Sequence, residues 1–562
     1  MNFKTYFDVP RVWKYASWAL VIWVVIFWRL GYSSLLDPDE AHYAQLTREM
    51  LRAGNWMVPL LDGTPYIDKP ILFHWLQGIS ITLLGETEFA LRLPSALAAI
   101  AVIATTWWLG AQLFTAEIGE WAAMMLVTLP ATFALAITGM IDMVYTAFMF
   151  GGVACLIVAA FKDRSTLQNP GYALIALAVM TKGPVALVLP GLLVLSALAA
   201  GGGLRAAVRR LSWIRGFTVA ALAACPWFMW MWGRFGDEFI NGYVFAGNVW
   251  YFTEPASFSG RTTSATFYLR IFATAFFPWS LVVIGRLMDV AARGRNRSTP
   301  PEAQILWIWL LVVIGFFTAA RFRLDHYIYP AAPACCLIAA RAWHSAALDR
   351  DWQWTRISVQ FIAAAMVVGG VVASVALFRI NLGLEASALT LPVALVAGGS
   401  VLGWQLIRRS GLLPLSIRAP ILTLIAVWTV VVAIGLPILE GSRPTAPLGR
   451  WIAEHSPPNS MVGVYRVDDW QASIRYYAGR RIVKLDDPAA LSEFFDRYPE
   501  GYVVMFDREA RNLNQTGADL REAVGRPAIM GRSGRYLRKQ VWGRLVVVRR
   551  PPVIKPLGAP TA

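Results

Sequence analysis

Five short segments hold most of the ionisable residues placed to do chemistry. The first, "LLDPDEAHYAQ" (35–45), sets Asp37, Asp39 and Glu40 within four positions. Asp37, Pro38 and Glu40 read as a helix start: an N-cap acid, a proline at the first helical position and a glutamate three after the cap. The helix they open runs through "EAHYAQLTREMLRAG" to Gly54. Its apolar face, Tyr43, Leu46, Met50 and Leu51, suits a membrane surface. Asp39 is left over. A helix dipole favours a carboxylate there, so on these residues alone Asp39 is either a helix-start acid or a reacting one.

The second segment, "DGTPYIDKPILFHWLQ" (62–77), presents Asp68 and Lys69 between Pro65 and Pro70. Lys69 either snorkels at an interface or meets a lipid phosphate beside a carboxylate. His74, a turn further on, reads as structural. The third is Asp142 in "ITGMIDMVYTAF", at the outer end of an apolar run, where an ionisable side chain is costly and points to function. Lys182, in "VMTKGPVAL", follows the same logic, against the alternative of pairing with a helix C-terminus. The fourth, "NGYVFAGNVWYFTEPASFSGRTTSATFYLR", places Arg261 in a Gly-Arg-Thr-Thr-Ser turn able to hold an anion. In the fifth, "ARFRLDHYIYPAAP", Arg321, Arg323, Asp325, His326 and Tyr327 crowd into what reads as a polar pocket wall.

The elements that position these residues are membrane spans. The chain has 562 residues, is 57% hydrophobic and has a mean hydropathy of +0.50. Its apolar runs of roughly 18–22 residues match a bilayer-crossing helix. They predict about thirteen spans, near 15–36, 89–110, 119–138, 141–161, 171–181, 184–200, 212–232, 265–285, 304–320, 325–342, 357–379, 391–407 and 417–438. The net charge of +16 follows topology. Alternate loops hold Lys162 and Arg164, then Arg205, Arg209, Arg210 and Arg215, then Arg286, Arg293, Arg295 and Arg297. That is the positive-inside pattern, so the basic surplus faces membrane lipids and not nucleic acid. All five polar segments then fall on the outer face. Cys155, Cys225, Cys335 and Cys336 sit in or beside apolar runs without CxxC or metal spacing, as small hydrophobes.

Two outer loops are long, at about 37–88 and 233–264, and they are expected to build the site within a membrane domain of residues 1–439. From 440 to 562 the composition changes. "SMVGVYRV", "RRIVKL", "GYVVMFD" and "GRLVVVRR" read as short strands, with helical stretches such as "DPAALSEFFDRYP" between them. The expected fold class is therefore an α-helical polytopic membrane protein with a small outer, periplasmic α/β domain.

Taken together, "DEAHYAQLTREML", "GTPYIDKPILFHWLQ", an Asp at the outer start of a span, "TKGP" and "RLDHYIYP" resemble the bacterial aminoarabinose transferases of lipid A. More broadly the chain is similar to the protein O-mannosyltransferase-like group with the GT-C fold. The resemblance covers most of residues 10–345. It implies transfer of a sugar, with inversion, from a polyprenyl (undecaprenyl) phosphate to lipid A or another envelope acceptor at the periplasmic face of the bacterial inner membrane. By the family pattern Asp39 is the leading catalytic acid and Asp142 the second. Lys69 and Tyr327 match donor-phosphate positions. Arg261 joins them by loop position and Arg323 from the polar pocket wall, and Glu40, His42 and Lys182 support the pocket.

Three positions depart from the pattern. His42 stands where the family has Arg, Asp68-Lys69 replaces Glu-Lys, and Gly247-Asn248 replaces Glu-His. The family's Glu and His can bind a divalent metal; Asp68 with Asn248 is a weaker pair, because an amide replaces a ring nitrogen. Two other readings stay open. One is a protein O-glycosyltransferase of the same fold. The other is a transporter or flippase of prenyl-linked sugars, which would place its polar groups at mid-membrane.

Overall fold

The computed structural model describes residues 11–250, 253, 264, 266–293, 299–348, 352–380, 389–408, 414–467, 470–529 and 542–551. Two compact units emerge: one holds the chain up to Leu30 together with Tyr66–Ile434, the other Gly31–Pro65 together with the chain from Gly435. The first outer loop is thus divided between the units, and the second unit begins a few residues before 440.

The first unit is helical. Among the described residues seven helices are long and apolar enough to cross a membrane, or up to nine if each of two bent pairs is one span. The expected run 141–161 is the helix Ile141–Phe161. The expected span 119–138 is instead two helices, Ala116–Val127 and Pro130–Ala136, bent by 67°. Pro130 is the first residue of the second piece and has no N–H to continue the first. The expected span 265–285 is likewise Phe267–Ala275 and Trp279–Ala292, bent by 115°. The first apolar helix, Val12–Phe27, stops short of 36, because residues 31–36 join the other unit. Two expected spans are therefore bent, and a third is shorter than its apolar run.

The second unit has a short antiparallel hairpin, β1 Leu60–Leu61 with β2 Thr64–Pro65, and a five-stranded sheet in the order β4-β3-β5-β7-β6, with β3 Met461–Tyr465, β4 Arg481–Leu485, β5 Tyr502–Phe506, β6 Arg521–Ile529 and β7 Trp542–Arg549. β3 runs parallel to β4 and β5, and β7 antiparallel to β5 and β6. Side chains alternate between two apolar layers. Val503, Met505, Val546 and Val548 pack on one side with Leu491, Phe494 and Leu513. Val504, Leu545 and Val547 pack on the other with Leu448, Ile452 and Ile474. Burial on both faces is why these strands read as continuous Val-rich runs. β6, with Arg521, Glu522, Gly525 and Pro527, carries no such run and escapes sequence reading; it lies at the sheet edge, where Pro and charge are tolerated.

The helix Asp39–Arg52 also belongs to this unit, and it corrects the surface-helix expectation. Leu46 and Met50 are fully buried, and the helix packs on the helix Gln471–Ala478. Arg48 lies over the Tyr476 ring at 3.4 Å and donates to the Tyr476 carbonyl at 2.6 Å. The cap is different too. Pro38 is the N-cap without a side-chain bond, and Glu40 reaches back to accept from the Leu36 N–H at 2.7 Å. Asp37 caps the other helix instead, accepting from the Ser473 backbone N–H at 2.8 Å and from the Ser473 hydroxyl.

This displaced acid predicts a pH effect. Burial pushes the Asp37 carboxyl up to about 6, against the opposing hydrogen bonds of Ser473 and the charge of Arg443. A folded pKa above the ordinary 3.8 means that folding takes up a proton. The stabilisation is complete below about pH 4 and is lost as pH rises through about 6. Wild-type protein is expected to lose roughly 1–2 kcal/mol between about pH 5 and 7.5 by this route. Asp37→Asn is expected to flatten that part of the dependence. Thermal unfolding at the two pH values checks it, and an unchanged slope in the variant refutes it.

Candidate functional site

Four backbone features of the first unit bring polar side chains together. Ile141–Phe161 begins after Met140, whose extended backbone turns the chain in, and sets Asp142 in its first turn. Gln168–Lys182 ends on Lys182, because Gly183 takes φ +84 and stops the helix. Pro70 precedes the helix Leu72–Leu84 and leaves Asp68 and Lys69 at its mouth. The 3-10 turn Asp325–Ala331 presents His326 and Tyr327.

Asp142 is the centre. Its carboxylate pairs with the Lys182 ammonium, and its other oxygen lies 3.5 Å from His326 Nε2. His326 Nδ1 is 3.2 Å from Asp325. The Lys182 ammonium also lies 4.4 Å above the Tyr327 ring. Lys69 pairs with Asp68 at 2.9 Å, and its charge acts on Asp142 as well. The Asp142 carboxylate is 6% exposed and the Lys182 side chain 11%. The Lys182 ammonium and the His326 imidazole thus share one buried carboxylate, the Lys69 ammonium stands near, and a basic face forms where water is largely excluded. Such a face can stabilise charge developing on a phosphate.

The stretch Ile240–Trp250 is a π-helix that carries Tyr243 and Asn248. Asn248 Nδ2 donates to the Tyr243 carbonyl at 2.7 Å, the five-residue spacing of that helix. Gly247 lies against Asp68: a Cβ there would meet Asp68 Oδ1 at 2.7 Å. Two of the departures from the family pattern are therefore linked, since the glycine lets the shorter Asp68 segment approach. A Cβ at Gly183 would lie 2.3 Å from the Tyr243 hydroxyl and 3.6 Å from Asn248 Oδ1. Burial, with the nearby Asp68 charge, pushes the Tyr243 phenol far above its ordinary value, so it stays a donor.

Of the residues expected from sequence, the structure gathers Asp142, Lys182, Lys69, Tyr327, Asp68 and Asn248 in the first unit. Arg323 has another role there. Its guanidinium donates to the carbonyls of Ala320 at 2.9 Å, Thr318 at 2.7 Å and Ser264 at 2.8 Å, so it ties loops together. Arg261 lies outside the described residues. Asp39, Glu40 and His42 belong to the second unit. There Asp39 is the first residue of its helix and partly exposed, Glu40 is buried, and the His42 ring faces Tyr43. His326 stood in the expected pocket wall without an assigned part, and its pairing with Asp142 makes it central. Tyr243 and Gly183 were missed; nothing in "NGYVFAGN" announces a π-helix.

The donors do not fit a divalent metal. Asp68 is paired with Lys69 and accepts from the Tyr66 hydroxyl at 3.4 Å. Asn248 offers only its amide oxygen, and among the described residues no three His, Cys, Asp or Glu side chains converge. Divalent ions need more oxygen or nitrogen ligands than this.

The helical architecture is the GT-C fold of membrane glycosyltransferases. It matches the crystal structure of ArnT from Cupriavidus metallidurans bound to undecaprenyl phosphate with a TM-score of 0.69, at 21% identity, over 99% of this chain and 100% of that one. It also matches the oligosaccharyltransferase of Archaeoglobus fulgidus with a TM-score of 0.51, at 12% identity, over 89% of this chain and 70% of that one. At these identities the likeness is one of fold. Residues 68–230 match the family model described as dolichyl-phosphate-mannose-protein mannosyltransferase.

The particular resemblance read from the motifs also holds: the chain is similar to the undecaprenyl phosphate-alpha-4-amino-4-deoxy-L-arabinose arabinosyl transferases. It is 30% identical to one from Sodalis glossinidius over 54% of each chain, and 28% identical to one from Yersinia enterocolitica over 55% of each. The alignments span about half the length of these curated relatives.

Proposed function

We propose that this protein is an inverting glycosyltransferase that moves a sugar from a polyprenyl phosphate to lipid A or another envelope acceptor. The observation that carries the reading is the buried Asp142–Lys182–His326 group with Lys69 beside it, in a fold shared with a transferase crystallised with undecaprenyl phosphate. The protein spans the bacterial inner membrane about thirteen times, with the site and the α/β unit on the periplasmic face. The positive-inside pattern supports that orientation.

In the reaction the bond between the sugar's anomeric carbon and the phosphate oxygen breaks, and a bond to the acceptor oxygen forms on the opposite face. The electron pair leaves with the polyprenyl phosphate, whose growing charge Lys69 and Lys182 stabilise. Asp142 and the Tyr327 ring hold Lys182 in place for this. Asp39 takes the proton of an acceptor hydroxyl. A phosphate acceptor, as on lipid A, needs no strong base, and Asp39 then orients the groups.

Incubating the purified protein with a panel of polyprenyl-phosphate sugars and scoring release of polyprenyl phosphate tests the reaction. Sided movement of the lipid with no release would instead identify a flippase. Mass spectrometry of lipid A from a strain lacking the protein tests the acceptor, and an unchanged lipid A would point to protein or another glycan. Lys69→Ala is expected to raise the Kd for polyprenyl phosphate about 10–100-fold, the size of losing a charge-assisted contact. Unaltered binding would remove Lys69 from the phosphate site.

A further inference from the structure

Tyr243 is 3% exposed, yet its hydroxyl has no hydrogen-bond partner among the described residues. A buried hydroxyl left in that state is costly, and each such case in a native fold calls for an explanation. Its direction is informative. The hydroxyl points onto Gly183, where a Cβ would come within 2.3 Å of it. Gly183 sits at φ +84, which glycine adopts freely, and it directly follows Lys182. The missing side chain therefore gives the phenol access to the turn next to the Asp142–Lys182 pair. Asn248 frames the same point: its nitrogen is pinned to the Tyr243 carbonyl, which turns its Oδ1 toward the Gly183 turn.

Among the described residues, the carboxylates around this point already have basic partners. Asp68 has Lys69, Asp142 has Lys182 and His326, and Asp325 has His326. What faces the Gly183 turn from the π-helix is uncharged: one phenol hydroxyl and one amide oxygen. A sugar hydroxyl can donate to the amide oxygen and accept from the phenol. An ammonium group brought to the same place would give up its water without gaining an unmatched carboxylate among the described residues.

We propose that Tyr243 and Asn248 form a hydroxyl-reading subsite for the transferred sugar, one that takes a neutral sugar in preference to an amino sugar. The proposal rests on the transfer reading above and deepens it. It also departs from the amino sugar named for the relatives, in the segment where Gly247-Asn248 replaces their Glu-His.

The test uses the purified full-length protein with polyprenyl phosphate carrying a neutral pentose, a neutral hexose or a 4-amino-4-deoxypentose. Polyprenyl phosphate without a sugar serves as a binding control. Wild type is expected to show kcat/KM at least about 10-fold higher for a neutral donor than for the amino sugar. Tyr243→Phe is expected to lower kcat/KM for the neutral donors about 10-fold, while its Kd for bare polyprenyl phosphate and its melting temperature stay at wild-type values. A purely structural role for Tyr243 would move those last two. A preference for the amino sugar, or wild-type kinetics in Tyr243→Phe, overturns the subsite. If wild type turns over no donor, the transfer reading fails by itself. The subsite is then judged by binding: a neutral glycosyl lipid should bind more tightly than the bare lipid, and Tyr243→Phe should lose that gain. No gain overturns it.

Discussion

Asp39→Asn is expected to lower transfer to a hydroxyl acceptor by about 10²–10⁴-fold, the range for losing a positioned general base, while leaving the affinity for polyprenyl phosphate unchanged. Asp39 opens the helix Asp39–Arg52, whose buried face is fixed by Leu46, Met50 and Arg48. At the helix start Glu40 satisfies the Leu36 N–H, and Pro38 is the N-cap. Asparagine keeps the shape and hydrogen-bonding oxygen and removes the charge, so the fold should persist, as a melting curve will show. Full turnover in a folded Asp39→Asn protein would exclude Asp39 as the base. A loss confined to hydroxyl acceptors, with phosphate acceptors spared, would show that its task is the proton and not orientation.

The second large effect concerns Asp142. Asp142→Asn leaves the Lys182 ammonium in a nearly closed site without its carboxylate. Removing one partner of a buried pair destabilises by about 3–5 kcal/mol, and transfer should fall below detection because Lys182 loses its fixed position over the Tyr327 ring. Lys182→Met in the Asp142→Asn background is expected to restore much of the stability, since the uncompensated charge is gone, but none of the transfer. A double-mutant cycle on melting temperature reads this coupling. Additive losses would mean that the pair is not held together in the folded protein. Restored transfer in the double variant would mean that the pair is only structural.

The two variants differ in how much of their basis was legible in the sequence. In the sequence Asp39 stands out by subtraction, since Asp37, Pro38 and Glu40 read as the helix start. The structure changes that assignment in part, since Asp37 caps the helix at Ser473, yet it leaves Asp39 at the head of its helix. In the sequence Lys182 reads as an ionisable residue beside an apolar run, with a helix C-terminus as its alternative partner, and the resemblance gives it only a supporting place. Its real partner lies 40 residues earlier, on another helix. Arg323 shows the opposite failure: an arginine that looked free to meet a phosphate is bonded to three carbonyls. The residue type was visible and the competition for it was not.

By itself the sequence determined the membrane class, the position of most helices and four of the five strands of the α/β sheet. These follow from local rules, because an apolar run of bilayer length or a Val-rich strand states its environment in its own residues. Only the tertiary structure decided that Leu46 and Met50 pack on the Gln471–Ala478 helix and not on a membrane surface. It likewise decided that His326 joins Asp142, that Gly247 admits Asp68, and that Gly183 makes room for the Tyr243 hydroxyl. Each of these depends on which distant segment fills the space beside a residue. That choice is set by packing and by competition for hydrogen-bond and charge partners across the fold, which no local pattern records.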